Sequence, residues 1–372
     1  MKKQVVNPYS VEGSIDYDKL ITEFGVKKIT PEVLKEIQGF TGELHPYLKR
    51  GIFFAYRDLK KVLDDFKKGK KFFLYTGRAP SGPIHLGHIS VWLFMKWLQE
   101  KFDVEVWFQF PDEEKFLFKQ DTKWEDIQKW THENILDVIA LGFNPKKTHF
   151  LIDTKHAGIM YPEAIKVAKK ITFSSIKAAF GFTDSNNIGS IFYTAMQTVP
   201  IFLPNILNKK NENCLIPLGI DQDVHFRLSR DIVEKLGHKK PAIIHAKFMP
   251  PLTGTEGKMS SSNPDTAILL TDSPKEVARK INKYAFSGGQ PTIEEHRKKG
   301  GNVEVDVACQ WLKYFEDDDK KLAEIYEKYS KGELLSGEVK KILIDKINEI
   351  LTEHQKRRKN AEKLINQFVW KS

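Results

Sequence analysis

Two short segments carry side chains whose types and spacing suit work on phosphates. The first is His85-Leu86-Gly87-His88, which follows a loop rich in proline and glycine and opens a helical pattern. The second is Lys258-Met259-Ser260-Ser261-Ser262, part of a glycine-hinged polar loop. A helix N-terminus offers backbone N–H groups to anions, and imidazole, ammonium and hydroxyl groups add side-chain donors. The two segments together predict a polyphosphate site in which a mobile lysine stabilises charge as a phosphate bond breaks.

Each segment also has a purely structural interpretation. A His-x-Gly-His sequence arises by chance as a core histidine beside a turn glycine, and an isolated serine-rich stretch is more often a surface loop. A zinc site is disfavoured, because two histidines three residues apart without a third ligand nearby do not complete a coordination shell. The order of the two segments, after the first and last strands of one predicted sheet, favours the functional interpretation.

The elements that must position these segments are alternating strands and helices. Five apolar runs are typical of buried strands: Phe72-Phe73-Leu74-Tyr75, Val104-Glu105-Val106-Trp107-Phe108, His149-Phe150-Leu151-Ile152, Leu215-Ile216-Pro217-Leu218 and Ala242-Ile243-Ile244-His245. Strands separated by helices predict an α/β fold, a doubly wound parallel sheet of the Rossmann-like kind. Ligands of such sheets bind beyond the carboxyl ends of the strands, where both segments are expected.

The pattern divides the chain into four parts. Residues 1–60 are predicted to hold a hairpin between Val5 and Ile15 and a helix that begins after Thr30. Residues 61–268 are predicted to form the Rossmann-like domain that carries both segments and is expected to be catalytic, with a connecting insertion over about 111–200. Residues 269–360 are predicted to be a C-terminal all-helical domain, opened by the N-cap sequence Ser273-Pro274-Lys275-Glu276. Residues 361–372 complete the last helix.

Composition narrows the choice of partners and compartment. The 372 residues include 59 Lys+Arg and 49 Asp+Glu, a net charge of +10, which favours contact with a polyanion. Any single basic cluster is more often a solvated surface. Two distant cysteines, Cys214 and Cys309, fit a reducing compartment better than a disulfide scaffold. The apolar runs are too short for a membrane span, and no apolar stretch follows the basic N-terminus, so a cytoplasmic protein without a membrane partner is expected.

The two segments make the chain resemble the class I aminoacyl-tRNA synthetases, since residues 85–88 match the first signature of that class and residues 258–262 the second. The resemblance extends from about Asp16 to Lys363 and is greatest to the tryptophan-specific enzymes of the eukaryotic and archaeal type. Further matching stretches are Tyr75-Thr76-Gly77-Arg78, Asp112-Glu113-Glu114-Lys115, Phe180-Gly181-Phe182-Thr183-Asp184-Ser185, Ile220-Asp221-Gln222-Asp223 and Ala285-Phe286-Ser287-Gly288-Gly289. The resemblance implies a ligase that activates L-tryptophan with ATP, releases pyrophosphate and transfers the amino acid to the 3′ end of tRNA(Trp).

Matching positions imply a role for each residue of the site. The catalytic set is Lys258, His85, His88 and Arg78. ATP is implied to contact Gly77, Gly87, Met259, Ser260 and Ser262. Tryptophan is implied to contact Tyr75 and Gln109 through its indole N–H, Glu114, Gln197 and Gln222 through its ammonium, and Lys115 through its carboxylate. Mg²⁺ is expected on the phosphate oxygens rather than in a protein cage. The family also implies a homodimer and an anticodon-binding role for the helical domain.

Three alternatives remain open. The tyrosine-specific sister enzymes share both signatures, but they carry an aspartate three residues after the position of Gln197, where this chain has Pro200. A proline side chain cannot accept a hydrogen bond from a phenol. Nucleotidyltransferases of the same superfold share the histidine segment but usually lack the serine-rich loop and the helical domain. A non-catalytic RNA-binding descendant has no use for the intact set of lysine, arginine and histidines.

Overall fold

The computed structural model describes residues 5–6, 11–13, 15–259 and 264–371. In these ranges the strands are β1 (Val5–Val6), β2 (Val11–Glu12), β3 (Lys27–Lys28), β4 (Phe53–Arg57), β5 (Phe72–Gly77), β6 (Glu105–Phe110), β7 (Thr148–Ile152), β8 (Asn213–Gly219) and β9 (Ala242–Ala246). The helices up to β9 are α1 (Tyr17–Phe24), α2 (Pro31–Thr41), α3 (Pro46–Lys49), α4 (Leu59–Lys67), α5 (Leu86–Phe102), α6 (Glu114–Phe118), α7 (Trp124–Ala140), α8 (Ala157–Ala168), α9 (Phe173–Phe180), α10 (Ile188–Met196), α11 (Leu203–Leu207) and α12 (Asp223–Lys235). Those after β9 are α13 (Pro274–Tyr284), α14 (Ile293–Lys299), α15 (Val307–Phe315), α16 (Asp319–Ser330), α17 (Ser336–Arg358) and α18 (Ile365–Phe368).

A seven-stranded sheet in the order β3-β4-β9-β8-β5-β6-β7 forms the centre of the molecule. All neighbours from β9 to β7 run parallel, and these are the five strands that the sequence predicts. Their side chains are almost entirely buried, because helices cover both faces of a parallel sheet and near-continuous apolar runs are then required. The predicted α/β doubly wound sheet is confirmed.

Strands β3 and β4 add an antiparallel edge that the sequence analysis did not predict. It assigned residues 1–60 to a hairpin and a helical extension, whereas β4 pairs with β9 and belongs to the central sheet. Arg57, at the end of β4, forms two hydrogen bonds of 2.8 Å with the buried carboxylate of Asp223, the first residue of α12. His245 of β9 lies 2.7 Å from the same carboxylate. This buried ionic cluster fastens the antiparallel edge to the parallel part of the sheet.

Other predictions for the N-terminal residues agree with the structure. β1 and β2 pair antiparallel, with Val6 opposite Val11, within the segment where the hairpin is predicted, and residues 7–10 between them lie outside the described ranges. α2 begins at Pro31 with Thr30 at its N-cap, as the sequence predicts.

All the elements described after residue 270 are helices, as predicted. The Ser273 side chain accepts a hydrogen bond from the Glu276 N–H, which caps α13. α17 buries Val339, Leu343, Ile347 and Leu351, whose spacing places them on one face of the helix. Fully buried Trp311 of α15 donates its indole N–H to the Pro250 carbonyl, which anchors the helices to the chain after β9.

The basic end of α17 contacts α7. Arg358 hydrogen-bonds Asp137 at 2.7 Å, and Arg357 donates to the Ala140 carbonyl at 2.7 Å. Part of the basic cluster over residues 356–359 therefore serves an internal contact. No helix in the described part of the chain is both long and apolar enough to span a bilayer.

Candidate active site at the carboxyl edge of the sheet

One cleft lies beyond the carboxyl ends of β5, β6 and β8, where the sequence places it. Thirteen of the fifteen predicted site residues line this cleft: Tyr75, Gly77, Arg78, His85, Gly87, His88, Gln109, Glu114, Lys115, Gln197, Gln222, Lys258 and Met259. The other two, Ser260 and Ser262, lie outside the described residues. Residues from five separate parts of the chain thus meet in one cleft. A core histidine beside a turn glycine, or a serine-rich surface loop, would not require such a meeting.

The two signature segments lie against each other. The N-terminal end of α5 is paired with the chain that follows the serine-rich loop, since the Leu86 N–H donates to the Ile268 carbonyl at 3.0 Å. A Cβ atom on Gly87 would lie 3.5 Å from the Cβ of Met259 and 3.1 Å from the ring of His85. Glycine at position 87 therefore lets the second segment approach the start of α5 closely.

The two histidines form a neutral stack. Their ring centroids are 3.7 Å apart, and His88 Nδ1 accepts a 3.3 Å hydrogen bond from the His85 backbone N–H. Burial, assisted by nearby Arg78 and Lys258, lowers the pKa of His85 to about 3 and holds that of His88 well below its ordinary value. A neutral His88 that accepts at Nδ1 carries its proton on Nε2. These imidazoles are therefore hydrogen-bonding groups and not cations.

Arg78 provides a buried positive charge. Its Nε and Nη2 atoms are buried and have no hydrogen-bond partner among the described residues. Burial lowers the pKa of Arg78 to about 10, so the guanidinium remains protonated at neutral pH. A buried and unsatisfied guanidinium is costly, and an anionic group of a ligand would satisfy it.

Lys258 forms a salt bridge with Asp221, which also lines the cleft. Its Nζ is 2.6 Å from Asp221 Oδ2, and the same oxygen accepts a 3.0 Å hydrogen bond from Gln222 Nε2. Gly257, immediately before the lysine, has φ +80°, a conformation that glycine adopts without strain. The lysine therefore reaches the cleft from a turn that its glycine makes possible.

Tyr75 and Gln109 form a buried pair on β5 and β6. The Tyr75 hydroxyl donates to Gln109 Oε1 at 2.6 Å, and the two residues are only 2% and 1% exposed. Gln109 Nε2 donates to Asp153 Oδ2 at 2.7 Å. Lone pairs on the tyrosine oxygen and on Oε1 are left for a ligand group that can only donate, such as an indole N–H.

Glu114 provides a carboxylate group in the cleft. Glu114 accepts hydrogen bonds from Tyr193 Oη at 2.9 Å and from Lys115 Nζ at 2.5 Å. Burial by itself raises the pKa of Glu114, but Lys115 and Tyr193 outweigh it, so the pKa is lowered and the group is ionised. Gln197 lies one turn after Tyr193, to whose carbonyl its N–H donates. An ionised carboxylate beside an amide suits a ligand ammonium, and Lys115 is paired with Glu114 in this arrangement.

Sequence reasoning missed three polar residues of this region: Asp153, Tyr193 and Asp221. Asp153 follows β7 directly, so the rule that ligands bind beyond strand ends could have drawn attention to it. Asp221 lies within a stretch already matched to the family, but its contact with Lys258 depends on the loop conformation. Over the described ranges, no group of three or more His, Cys, Asp or Glu residues is arranged to hold a metal ion.

Comparison with known proteins agrees with this geometry. Residues 67–352 match the family model described as tRNA synthetases class I (W and Y). The chain is 53% identical to the tryptophan–tRNA ligases of Saccharolobus solfataricus and Sulfurisphaera tokodaii, over 98% of this chain and 95% of each relative. It is also similar to the crystal structure of Plasmodium falciparum tryptophanyl-tRNA synthetase, with a TM-score of 0.90, 46% identity, and coverage of 95% of this chain and 97% of that one.

Proposed function

The chain belongs to the class I tRNA synthetases of the tryptophan and tyrosine family, and from that premise we propose how its cleft works. It is a tryptophan–tRNA ligase, like its close relatives. The observation that carries the proposal is the meeting of both signature segments with the Tyr75–Gln109 pair in one cleft. An anion site beside a buried acceptor pair suits ATP and an indole amino acid together.

Adenylate formation is the first step. A carboxylate oxygen of L-tryptophan attacks the α-phosphorus of ATP, a new O–P bond forms, and the bond to the β-phosphate oxygen breaks with release of pyrophosphate. No protein nucleophile is needed, so the chain contributes positioning and stabilisation of negative charge. Arg78 and Lys258 supply positive charge, His85 and His88 supply hydrogen-bond donors, and Ser260 and Ser262 are proposed to add hydroxyl groups. The backbone at Gly77 and Gly87 and the side chain of Met259 are proposed to receive the nucleotide.

The amino acid is held by two groups of contacts in this proposal. The indole N–H donates to the Tyr75 and Gln109 oxygens, and the ammonium binds Glu114 with Gln197 and Gln222. Lys115 exchanges part of its contact with Glu114 for the substrate carboxylate. Pro200 is buried where the tyrosine-specific enzymes carry their aspartate, which supports tryptophan as the substrate.

Mg²⁺ is proposed as an ion that arrives with ATP and neutralises phosphate charge. The donor set fits this arrangement, because phosphate oxygens are preferred Mg²⁺ ligands and Mg²⁺ seldom needs a cage made entirely of protein. Arg78, with its unsatisfied nitrogen atoms, completes the charge balance on the protein side.

Transfer to tRNA(Trp) is the second step, in which a hydroxyl of the terminal ribose attacks the activated carbonyl and AMP leaves. The helices from α13 to α17 are proposed to read the anticodon. A homodimer is proposed as well, supported by exposed apolar side chains on α8 and α10, where Tyr161, Ile165 and Ile188 are 52%, 49% and 84% exposed. The proposed compartment is the cytoplasm, where the free cysteines Cys214 and Cys309 stay reduced.

Exchange of labelled pyrophosphate into ATP tests the first step. Exchange is expected with L-tryptophan and to be absent with L-tyrosine or without an amino acid. Exchange driven by L-tyrosine would show that the chain is a tyrosine-specific synthetase. Exchange without an amino acid would support a nucleotidyltransferase, and no exchange at all would support a binding protein.

The Tyr75→Phe variant is expected to lose discrimination. The change removes one acceptor for the indole N–H and the donor to Gln109, so the ratio of kcat/KM for tryptophan over phenylalanine should fall by about tenfold. Tyr326→Phe is the matched control, because that hydroxyl donates to the Cys309 carbonyl in the helical part. A ratio that is the same in both variants would contradict the role of Tyr75.

A further inference from the structure

Gln109 can present either an oxygen or an N–H group to the ligand, and the choice decides what the cleft recognises. When Gln109 Oε1 faces Tyr75 and the ligand, the side chain offers a hydrogen-bond acceptor. When the amide is rotated by 180°, its NH₂ group faces the ligand instead. An indole N–H can only donate, so it cannot bind that NH₂ group. The side chain is 1% exposed, so solvent does not set its orientation. The orientation of the Gln109 amide is therefore set by the protein groups that contact its Nε2 atom.

The neighbour on that side is Asp153. Its Oδ2 accepts the 2.7 Å hydrogen bond from Gln109 Nε2, and the residue itself is 1% exposed. The Asp153 N–H donates to the carbonyl of Phe110, the residue after Gln109, at 3.2 Å. The aspartate is therefore held to the same strand whose amide it contacts. It lines no part of the cleft and belongs to the layer behind it.

Behind Asp153 lies a second carboxyl group, that of Glu113. Asp153 Oδ1 and Glu113 Oε2 are both buried and lack a donor among the described residues. A single proton shared by the two carboxyl groups would satisfy both oxygens. Burial, with the neighbouring carboxylates adding to it, raises the pKa of Glu113 to about 7 and holds that of Asp153 well above its ordinary value. Asp112 takes no part in this sharing, because its two oxygens accept from Thr154 and Gln128.

We propose that Asp153 is a positioning residue that sets tryptophan specificity, because it holds the Gln109 amide with its oxygen towards the ligand. The chain of contacts runs from Asp153 Oδ2 to Gln109 Nε2, and through Gln109 Oε1 to the Tyr75 hydroxyl. The proposal rests on the function given above and adds a specificity determinant that does not touch the substrate.

The experiment compares two amino acids in pyrophosphate exchange. One is L-tryptophan, and the other is β-(3-benzothienyl)-L-alanine, in which sulfur replaces the indole N–H. Asp153→Ala removes the acceptor, so kcat/KM for tryptophan should fall by about 10- to 100-fold. The value for the sulfur analogue should stay within about threefold of the wild-type value, because that ligand never used the oriented amide.

Asp153→Asn is the conservative rescue. Its amide oxygen accepts from Gln109 Nε2 as Asp153 Oδ2 does, and the side chain keeps the size of aspartate. The tryptophan-to-analogue ratio of Asp153→Asn should therefore stay within about threefold of the wild type. An unchanged ratio in Asp153→Ala, an equal loss for both amino acids, or an Asn variant as impaired as the Ala variant would each overturn the proposal.

A neutron structure of the wild-type protein with bound tryptophan gives an answer that does not depend on the folding of any variant. Deuterons on Gln109 Nε2 that face Asp153 support the proposal, and the opposite amide orientation refutes it. Failure of the proposed function is separately visible, because wild-type protein would then show no exchange with tryptophan.

Discussion

Replacement of Lys258 by alanine is expected to lower kcat for adenylate formation by about 100- to 1,000-fold. The lysine lies 2.6 Å from Asp221, on the turn made by Gly257, so it is positioned to exchange that partner for the phosphates. Its contact strengthens as negative charge develops on the leaving pyrophosphate, and contacts made in the transition state affect kcat. KM for tryptophan should stay within about twofold, because the proposed contacts of the amino acid lie with Tyr75, Gln109 and Glu114.

Rapid-quench measurement of adenylate formation and steady-state exchange check this expectation. Lys35→Ala, an exposed lysine on α2, is the matched control and should keep wild-type rates. A kcat within about twofold of wild type, or an effect confined to KM for tryptophan, would remove Lys258 from the proposed catalytic set.

Asp223→Ala is expected to be the most destabilising single change, costing about 3–5 kcal/mol of unfolding free energy. The change leaves Arg57 without its two 2.8 Å hydrogen bonds and His245 without its 2.7 Å partner, in a site where the aspartate side chain is fully buried. β4 would lose its ionic attachment to the parallel strands. The matched control is Asp231→Ala on the same helix, whose carboxylate is 71% exposed and 3.9 Å from Lys240 and should contribute less than about 1 kcal/mol.

The cluster of Arg57, Asp223 and His245 also predicts how the free energy of unfolding changes with pH. Burial by itself raises the pKa of Asp223, but hydrogen bonds from Arg57 and His245 outweigh it and lower the pKa to about 2, against an ordinary value of 3.8. A group whose pKa is lower in the folded state contributes stability above the unfolded value and loses it as the pH falls through the folded value. The contribution of the Asp223 carboxylate to the stability difference between wild type and Asp223→Ala should therefore be lost as the pH falls from about 4 to 2. Urea unfolding followed by circular dichroism at pH 7 and pH 3 measures both quantities, and an equal difference at the two pH values would contradict the cluster's role.

The sequence alone predicted the five parallel strands because each is a local apolar run, and burial on both faces demands that composition. β4 was not predicted, although Phe53-Phe54-Ala55-Tyr56-Arg57 is as apolar as its partner strands. Its place at the antiparallel edge depends on contacts with Asp223 and His245, which are far away in sequence. The site residues were predicted from the two signature segments and from positions that match the family, and the structure brings those it describes to one cleft.

What the sequence determined by itself is the five parallel strands, the helical nature of the C-terminal part and, through the resemblance of the two signature segments, the family. Short-range composition and spacing carry all three. Only the tertiary structure decided the protonation of His85 and His88, the partner of Lys258 and the orientation of the Gln109 amide. Each of these depends on which charges and hydrogen-bonding groups share one buried space. Desolvation and the identity of the facing partner decide such properties, and neither is encoded in the residues next to them along the chain.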